Sequence, residues 1–183
     1  MSSISDSPGR ALLVIDVQTD VVVDAWRRAE VIANINTLID KARESRTPVI
    51  WIQHSDDYLE IGTDGWQIAN ELTPLANEPK IGKRYRSSFE QTTLDETLTR
   101  MRVGHLYICG AETDNCVRHT SHAALERGYD VTLIKDAHTT TDGPGDSGTI
   151  FASAIVDELN RSFENYDLPG RSASTFSTEE ISF

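Results

Sequence analysis

Two residues with side chains that could take part in catalysis, a cysteine and an aspartate, lie close to the ends of apolar segments. Cys116 lies in I-C-G-A-E-T-D-N-C-V-R-H-T, where an apolar run gives way to a helical pattern that starts at about this cysteine. Backbone N–H groups at a helix N-terminus favour a thiolate, and the same donors can bind the oxyanion that forms when a thiolate attacks a carbonyl. Asp16 places a charge in the otherwise apolar run A-L-L-V-I-D-V, which makes its carboxylate a candidate functional group.

Each candidate also has an ordinary structural interpretation. Asp16 taken alone is better explained as a carboxylate that caps the following loop, and Cys116 taken alone fits a buried apolar filler equally well. Lys83, in I-G-K-R-Y-R-S-S-F, would by itself be a surface lysine. The second cysteine, Cys109, lies inside an apolar run, where we expect an inert buried thiol. Residue type and position therefore leave both interpretations open.

The elements that must position these residues follow an alternating pattern. Short β-branched runs alternate with stretches of helical period, which is typical of a parallel sheet wrapped by helices. Apolar runs predict strands buried on both faces at 11–17, 48–54, 105–110 and 130–136, and weaker runs predict strands at 79–83 and 172–176. Helical spacing predicts helices around 32–42, 94–101, 117–125 and 147–163, the last ending near Asn165. The predicted fold class is α/β, a doubly wound, Rossmann-like three-layer sandwich with a mostly parallel six-stranded sheet.

In an open sheet of this type, ligands bind beyond the carboxyl ends of the strands. The candidate site residues are therefore the polar ones that follow the apolar runs: Asp16, Gln53, His54, Ser55, Asp56, Lys83 and Cys116. The longest irregular stretch, 55–78, is long enough that a functional role is more typical than an idle loop.

Four segments in order carry a family resemblance. I-D-V-Q, K-R-Y-R-S-S-F, G-A-E-T-D-N-C-V and G-Y-D-V-T-L-I-K-D-A together resemble the isochorismatase-like cysteine hydrolases over most of the chain. The resemblance implies a doubly wound sheet and a catalytic triad of Asp16, Lys83 and Cys116. It also implies a non-proline cis peptide between Ala111 and Glu112, with the N–H groups of Glu112 and Cys116 forming the oxyanion hole.

The activity implied is hydrolysis of a small amide, ureido, carbamoyl or imide C–N bond. Asp16 would accept the thiol proton of Cys116 and later protonate the leaving nitrogen, while Lys83 would keep Asp16 ionised and favour the thiolate. We expect the net field to favour the thiolate, so that Cys116 is alkylated before Cys109. No cofactor is required, and the substrate itself is left open. Positions near the sheet edge suggest a substrate pocket formed by Gln18, His54, Trp66, Tyr85 and Phe89.

A metal site is not expected. Nicotinamidase-like members of the family bind a metal through an aspartate and several histidines after the second strand, whereas this region offers only His54 with Asp56 and Asp57. A lone imidazole with flexible carboxylates is a poor cage for a transition metal. A metal-dependent nicotinamidase-like amidase is kept as the alternative to the metal-free hydrolase. Members that cleave isochorismate lack the cysteine nucleophile, so Cys116 argues against that reaction.

Two other patterns have competing interpretations. G-P-G-D-S-G, from Gly143, matches the dinucleotide-binding fingerprint, but T-T-T-D separates it from the preceding strand and a proline lies inside it. We interpret this segment as a flexible loop over the active site. His119 and His122 share a helix with Cys116, but they lie further along it and are expected to pack or cap rather than to activate the thiol.

Two non-hydrolytic functions remain as alternatives. A thiol-redox protein would use Cys109 and Cys116, which leaves Asp16 and Lys83 unexplained and asks a strand thiol to reach the start of a helix. A non-catalytic binding module on the same fold would have a broken triad, whereas all three positions are filled. Only an activity assay separates that possibility from an enzyme.

Composition limits the class of protein and its partners. With 183 residues, 38% hydrophobic and 25% charged, residues 1–183 are expected to form one globular domain. A net charge of −12 argues against nucleic acid or anionic membranes as partners. The first ten residues lack a basic signal segment and two cysteines fit reduced thiols, so we expect a cytoplasmic protein. The family resemblance and the apolar surface of so small a domain predict a homodimer or homotetramer.

Overall fold

A six-stranded parallel sheet organises the chain. The computed structural model describes residues 4, 7–164, 166 and 168–183. The strands of the sheet are β1 (Gly9–Ile15), β2 (Val49–His54), β3 (Lys80–Lys83), β4 (Val103–Ala111), β5 (Asp130–Thr139) and, after a short hairpin of β6 (Gly143–Gly145) and β7 (Gly148–Ile150), β8 (Ala173–Phe176). Their spatial order is β3-β2-β1-β4-β5-β8, and every neighbouring pair is parallel. The predicted fold class is confirmed.

Helices cover both faces of this sheet. They are α1 (Thr19–Val22), α2 (Arg28–Glu44), α3 (Leu94–Arg100), α4 (Arg118–Glu126) and α5 (Ala152–Glu164). Successive side chains of a strand point to opposite faces, and β1 follows this rule. Leu12 and Val14 pack in the core beneath α2, whereas Leu13 and Ile15 pack in the core beneath α3, α4 and α5. Burial on both faces explains the continuous apolar sequence of β1.

The strand order creates a crevice at the centre of the sheet. From β1 the chain winds outward through β2 to β3, and it then returns to the other side of β1 to form β4 and β5. The connections after β1 and β4 therefore lead to opposite faces of the sheet. The crevice that this leaves at the carboxyl ends of the strands is where ligands bind in doubly wound folds. Asp16 follows β1 at this point.

The last predicted helix begins later than expected. The sequence predicts helix from about 147, but residues 148–150 form β7, and α5 starts at Ala152. Gly148 adopts φ 138°, a conformation that L side chains rarely adopt. The side chain of Asp142 accepts a hydrogen bond from the Ala152 N–H at 2.8 Å, which caps the helix and fixes its start. The predicted end at Asn165 lies outside the described residues.

Two further expectations concern the loops and the membrane. The stretch 55–78 is irregular, as predicted, apart from one bridge between Gln18 and Ile68. The Gly143 segment is a β-hairpin rather than an irregular loop, and its position over the site stays a prediction. Among the helices of the described ranges, none has both the length and the apolar character needed to cross a bilayer. The cytoplasmic location and the homo-oligomer also stay predictions.

Candidate active site

The carboxyl edge of the sheet brings together three polar side chains that are far apart in sequence. Asp16 follows β1, Lys83 is the last residue of β3, and Cys116 lies in a π-helical turn, Thr113–Val117, between β4 and α4. Lys83 Nζ lies 2.6 Å from Asp16 Oδ2 and donates to Cys116 Sγ at 3.1 Å. The structure therefore places Lys83 in contact with both other members of the predicted triad.

The Asp16–Lys83 ion pair is buried. Asp16 is 1% exposed and Lys83 is 3% exposed, so both charges have lost most of their water. Among the described residues, neither oxygen of the Asp16 carboxylate has a hydrogen bond of good geometry, and its close polar neighbours are Lys83 and Cys116. Buried charges with few partners cost folding free energy and are found preferentially at functional sites. The spare lone pairs of Asp16 leave it able to accept a proton.

The backbone around Asp16 is specialised for this placement. Asp16 has φ 49°, in the left-handed region that few residues other than glycine adopt, and its N–H donates to Ile52 O at 3.0 Å. On the adjacent strand, Gly110 has φ 120°, and a Cβ at that position would lie 2.0 Å from Ile15 O. Only glycine fits there. The ends of β1 and β4 can therefore approach closely, which brings Asp16 near the turn that carries Cys116.

The turn after β4 begins with the expected backbone feature. The Ala111–Glu112 peptide bond is cis, which confirms the prediction from the family resemblance. The N–H groups of Asn115 and Val117 both donate to Glu112 O at 3.1 Å and close the turn. The Asn115 side chain donates to Glu112 Oε2 at 2.8 Å. The assignment of the Glu112 and Cys116 N–H groups as oxyanion donors stays a prediction.

Burial dominates the electrostatics of the site. It raises the pKa of Cys116 to about 12, and the Asp16 carboxylate adds to this rise while the Lys83 ammonium opposes it. Burial also raises the pKa of Asp16 above its ordinary value, again against the effect of Lys83. The resting group is therefore a neutral thiol, and the prediction that the local field favours a thiolate is wrong. Desolvation, which the sequence did not reveal, outweighs the effect of Lys83 on the Cys116 pKa.

The second cysteine differs from Cys116 in accessibility. Cys109 lies in β4 with 0% exposure, and its thiol donates to Leu13 O at 3.6 Å. Burial raises the pKa of this thiol as well. Cys116 is partly exposed, and both cysteines are free. The prediction that Cys109 is a buried apolar filler is confirmed.

Gln18 has a structural role that differs from the predicted contact with substrate. Its Nε2 donates to His54 O at 3.0 Å and to Trp66 O at 2.8 Å, and its Oε1 accepts from the His54 N–H at 2.7 Å. The residue is 0% exposed. Because these bonds occupy both N–H groups and one acceptor site of the amide, Gln18 ties the end of β1 to the end of β2 and to the 55–78 stretch.

His54 contacts one member of the predicted triad, Lys83. Its Nδ1 lies 3.3 Å from Lys83 Nζ, and its Nε2 lies 3.1 Å from Asp56 Oδ2. The His54 side chain is 22% exposed. The structure therefore brings this candidate pocket residue to the site, in contact with Lys83.

The three aromatic candidates occupy different environments. Trp66 is half-buried, and its indole N–H has no hydrogen-bond partner among the described residues, which leaves a donor available for a ligand. Tyr85 is 48% exposed. Phe89 is only 5% exposed, and its ring stacks on buried Tyr129 and is covered by the guanidinium of exposed Arg127. The contacts of Phe89 are those of a packed side chain, so its position gives no support to a role in the substrate pocket.

The two histidines of the α4 region bind their own helix. His119 Nδ1 lies 2.7 Å from Asn115 O, and His122 Nδ1 lies 2.8 Å from Arg118 O. Each ring nitrogen donates to the carbonyl four residues earlier. This confirms the expectation of packing or capping. Within the described ranges, no three side chains of His, Cys, Asp or Glu are grouped so that they could hold a metal ion.

The sequence analysis missed a buried polar chain beside the Cys116 turn. Thr113 Oγ1 lies 2.9 Å from His138 Nδ1, and His138 Nε2 lies 2.9 Å from Asn160 Oδ1. Asn160 Nδ2 donates to Lys135 O at 3.0 Å, which orients its oxygen toward His138. His138 Nε2 therefore carries the hydrogen and Nδ1 accepts from Thr113. Burial lowers the pKa of His138 to about 4, so this series of hydrogen-bonded side chains carries no charge at neutral pH. The available signal was a histidine near the carboxyl end of a buried strand, as His54 also is.

Comparison with known proteins identifies similar chains. The family model described as the isochorismatase domain matches residues 10–152. A streptothricin hydrolase of Streptomyces noursei is 32% identical over 80% of this chain, although the match spans only 62% of that relative. The ureidoacrylate amidohydrolase RutB of Cronobacter sakazakii is 28% identical over 69% of this chain and 73% of its own. An isochorismatase of known structure from Pseudomonas putida KT2440 superposes with a TM-score of 0.86 at 29% identity, covering 94% of this chain and 89% of its own.

Proposed function

The chain belongs to the isochorismatase family of hydrolases, and from that premise we propose that it hydrolyses a C–N bond of a small amide, ureido, carbamoyl or imide compound through Cys116. The observation that carries the proposal is the buried contact of Lys83 Nζ with Asp16 Oδ2 at 2.6 Å and with Cys116 Sγ at 3.1 Å. Relatives named as a hydrolase of streptothricin and an amidohydrolase of ureidoacrylate support this substrate class.

The first step forms the bond between sulfur and the substrate carbonyl. Because the pKa of the resting thiol is raised, the thiolate becomes available as Asp16 accepts the proton. Cys116 Sγ attacks the carbonyl carbon, and the carbonyl oxygen becomes an oxyanion that the N–H groups of Glu112 and Cys116 bind. A general base works best when its pKa is near the operating pH, and burial moves the pKa of Asp16 upward in that direction.

The second step breaks the C–N bond. The protonated Asp16 gives its proton to the leaving nitrogen, so that ammonia or an amine departs and Cys116 is left as a thioester. Asp16 then takes a proton from a water molecule, which attacks the thioester carbonyl. Collapse of this second intermediate releases the acid and the thiolate, and Cys116 regains its proton from Asp16. One water is consumed in each cycle.

Lys83 supports the reaction by its charge. Its ammonium contacts the groups that gain and lose negative charge at each step, Asp16 and Cys116. As the proton moves from sulfur to carboxylate, the negative charge moves from one neighbour of Lys83 to the other. A fixed positive charge in a site with little water stabilises both arrangements without reorganisation.

A hydrolysis screen with matched cysteine variants tests the proposal. Primary amides, ureido compounds and imides would be incubated with the wild type, Cys116→Ala and Cys109→Ala, and released ammonia would be measured. We expect Cys116→Ala to lower kcat by at least about 10³-fold, because members of a triad act as a unit. Cys109→Ala makes the same change of side chain at the other cysteine, in the core, and this variant should keep its turnover. A substrate that Cys116→Ala still hydrolyses at the wild-type rate would contradict the proposal.

A further inference from the structure

The last residues of β2 and β3 are paired across the sheet. His54 and Lys83 are register partners at the carboxyl ends of these parallel strands. Side chains at paired positions lie on the same face of a sheet, so the imidazole and the ammonium are held side by side. The His54 backbone is fixed in turn by two hydrogen bonds with the Gln18 side chain, of 2.7 Å and 3.0 Å. The contact between His54 and Lys83 therefore follows from the architecture of the sheet.

The Lys83 ammonium has three N–H donors and three neighbours that can accept. These are Asp16 Oδ2 at 2.6 Å, Cys116 Sγ at 3.1 Å and His54 Nδ1 at 3.3 Å. The Lys83 side chain is 0% exposed, so water does not offer a substitute for a missing acceptor. An ammonium with three acceptors in fixed directions has little freedom to rotate or move. His54 supplies the one contact of the three that lies outside the triad.

Asp56 determines which nitrogen of His54 accepts. Asp56 Oδ1 accepts from the N–H groups of Tyr58 and Leu59, each at 2.8 Å, and these bonds hold the pKa of Asp56 below its ordinary value. The ionised Oδ2 lies 3.1 Å from His54 Nε2 and can only accept a hydrogen bond. The hydrogen of neutral His54 is therefore on Nε2, and the lone pair of Nδ1 faces Lys83. This is how a carboxylate selects the tautomer of a histidine that binds through its other nitrogen.

We propose that His54, oriented by Asp56, is a positioning residue that holds the Lys83 ammonium between Asp16 and Cys116. This inference rests on the proposed function, since the hydrolase reaction is what requires Lys83 to stay in place. It assigns His54 to the triad rather than to the wall of the substrate pocket. His54 touches neither Asp16 nor Cys116 by hydrogen bond within the described residues; it acts through Lys83.

The contact with Lys83 requires His54 Nδ1 to be a hydrogen-bond acceptor. The charged and titratable groups that face it are Lys83 from β3, Asp56 from the following loop, Asp16 from the end of β1 and Cys116 beyond Lys83. Protonation would convert Nδ1 from an acceptor to a donor directed at an ammonium 3.3 Å away. The two cations would repel, and Lys83 would lose its third acceptor.

Three substitutions separate positioning from simple packing. His54→Asn keeps an acceptor, Oδ1, near the place of Nδ1, whereas His54→Leu removes it. Asp57→Asn is the control, since the side chain of Asp57 is 94% exposed and its ion pair with Arg84 spans 3.5 Å. The measurement is kcat and KM at neutral pH with a substrate from the hydrolysis screen.

The expected result has two parts. His54→Leu should lower kcat about 10-fold to 100-fold with little change in KM, as is typical when a supporting hydrogen-bond partner is lost. His54→Asn should keep most of kcat, while Asp57→Asn matches the wild type. A raised KM with unchanged kcat in His54→Leu would instead make His54 a substrate-binding residue. An equal loss of kcat in His54→Asn and His54→Leu would also overturn the proposal.

Alkylation of Cys116 gives a readout that needs no substrate. With iodoacetamide as the probe, adducts on the Cys116 peptide would be timed by mass spectrometry, with unreactive Cys109 as the internal reference. His54→Leu and Lys83→Met should both slow alkylation, because each weakens the positive field on the sulfur, and His54→Asn should not. If His54→Leu leaves the rate unchanged, the positioning role is wrong. Hydrolysis that persists in Cys116→Ala would instead contradict the proposed function alone.

Discussion

Two polar regions lie at the turn that carries Cys116, and they differ in charge. The charged cluster consists of Asp16, Lys83, Cys116, His54 and Asp56 on the side of β1 to β3. The neutral network consists of Thr113, His138 and Asn160 on the side of β5 and α5. Both contain a histidine near the carboxyl end of a buried strand. In the charged cluster the histidine contacts an ammonium and a carboxylate, and in the neutral network it contacts a hydroxyl and an amide.

The difference indicates a division of roles. In the neutral network both ring nitrogens of His138 are paired, and the Asn160 amide is anchored on the Lys135 carbonyl, so the region is satisfied without any charge. A fully paired buried network rigidifies its surroundings. Here it holds Thr113, the first residue of the turn. The charged cluster instead buries ions with few partners, which costs stability and supplies the fields that proton transfer needs. We expect changes in the charged cluster to affect rate and changes in the neutral network to affect stability.

The largest effect is expected from Asp16→Asn. Asparagine tolerates the φ of 49° found here, so the backbone should not confound the result. Without a base, kcat should fall by at least about 10³-fold. The Lys83 ammonium would also be left buried without its counter-ion, which should lower the free energy of unfolding by about 3 kcal/mol. Steady-state kinetics and denaturant unfolding of the same preparations measure the two effects.

A double variant separates those two effects. Asp16→Asn combined with Lys83→Met removes both charges, so the free energy of unfolding should recover toward the wild-type value while activity stays absent. If the double variant is no more stable than Asp16→Asn, the unpaired Lys83 ammonium is not the cause of the lost stability. If Asp16→Asn turns over at nearly the wild-type rate, Asp16 is not the base.

The fold was more predictable from the sequence than the electrostatics of the site. Continuous apolar runs identified the strands because burial on both faces leaves no polar alternation, as Leu12 and Leu13 illustrate. The order of the four family motifs predicted that Asp16, Lys83 and Cys116 lie at one site, and in the structure they do. The sign of the Cys116 pKa shift was wrong because it depends on how much water the folded site excludes. The roles of Gln18 and His138 were missed because hydrogen bonds to backbone and to Asn160 depend on side-chain geometry that spacing does not encode.

The neutral network should make the free energy of unfolding depend on pH through His138. Folded His138 takes up a proton only near pH 4, whereas the unfolded chain does so near pH 6.5. Between these values the unfolded state binds more protons, so the free energy of unfolding falls as the pH drops, and above about pH 6.5 the contribution is constant. The total loss from this residue should be about 3 kcal/mol. Denaturant unfolding at several pH values between 7 and 4 measures it, following the linkage slope.

Glutamine replacements isolate the histidine responsible. His138→Gln cannot titrate, so its stability should depend on pH less steeply than that of the wild type, although the variant will be less stable at neutral pH. His119→Gln is the matched control, because His119 is exposed and binds only the carbonyl of its own helix turn. Parallel pH profiles for the wild type and His138→Gln would show that His138 is not held neutral.

The smallest effect is expected from removal of metal ions, and it concerns the charged cluster. A divalent cation at His54 would have to displace either Lys83 from Nδ1, at 3.3 Å, or Asp56 from Nε2, at 3.1 Å. The nearby ammonium would repel it, and Asp56 Oδ1 is already occupied by two backbone N–H groups. Since Lys83 already supplies the positive charge that a metal would bring, prolonged EDTA treatment should leave kcat unchanged, and added zinc, iron or manganese should not raise it.

A sample incubated without EDTA and a metal analysis of the purified protein are the controls. Loss of activity that one of these metals restores would make His54 a ligand, as in the nicotinamidase-like alternative, and would remove it from the Lys83 contact on which the charged cluster depends.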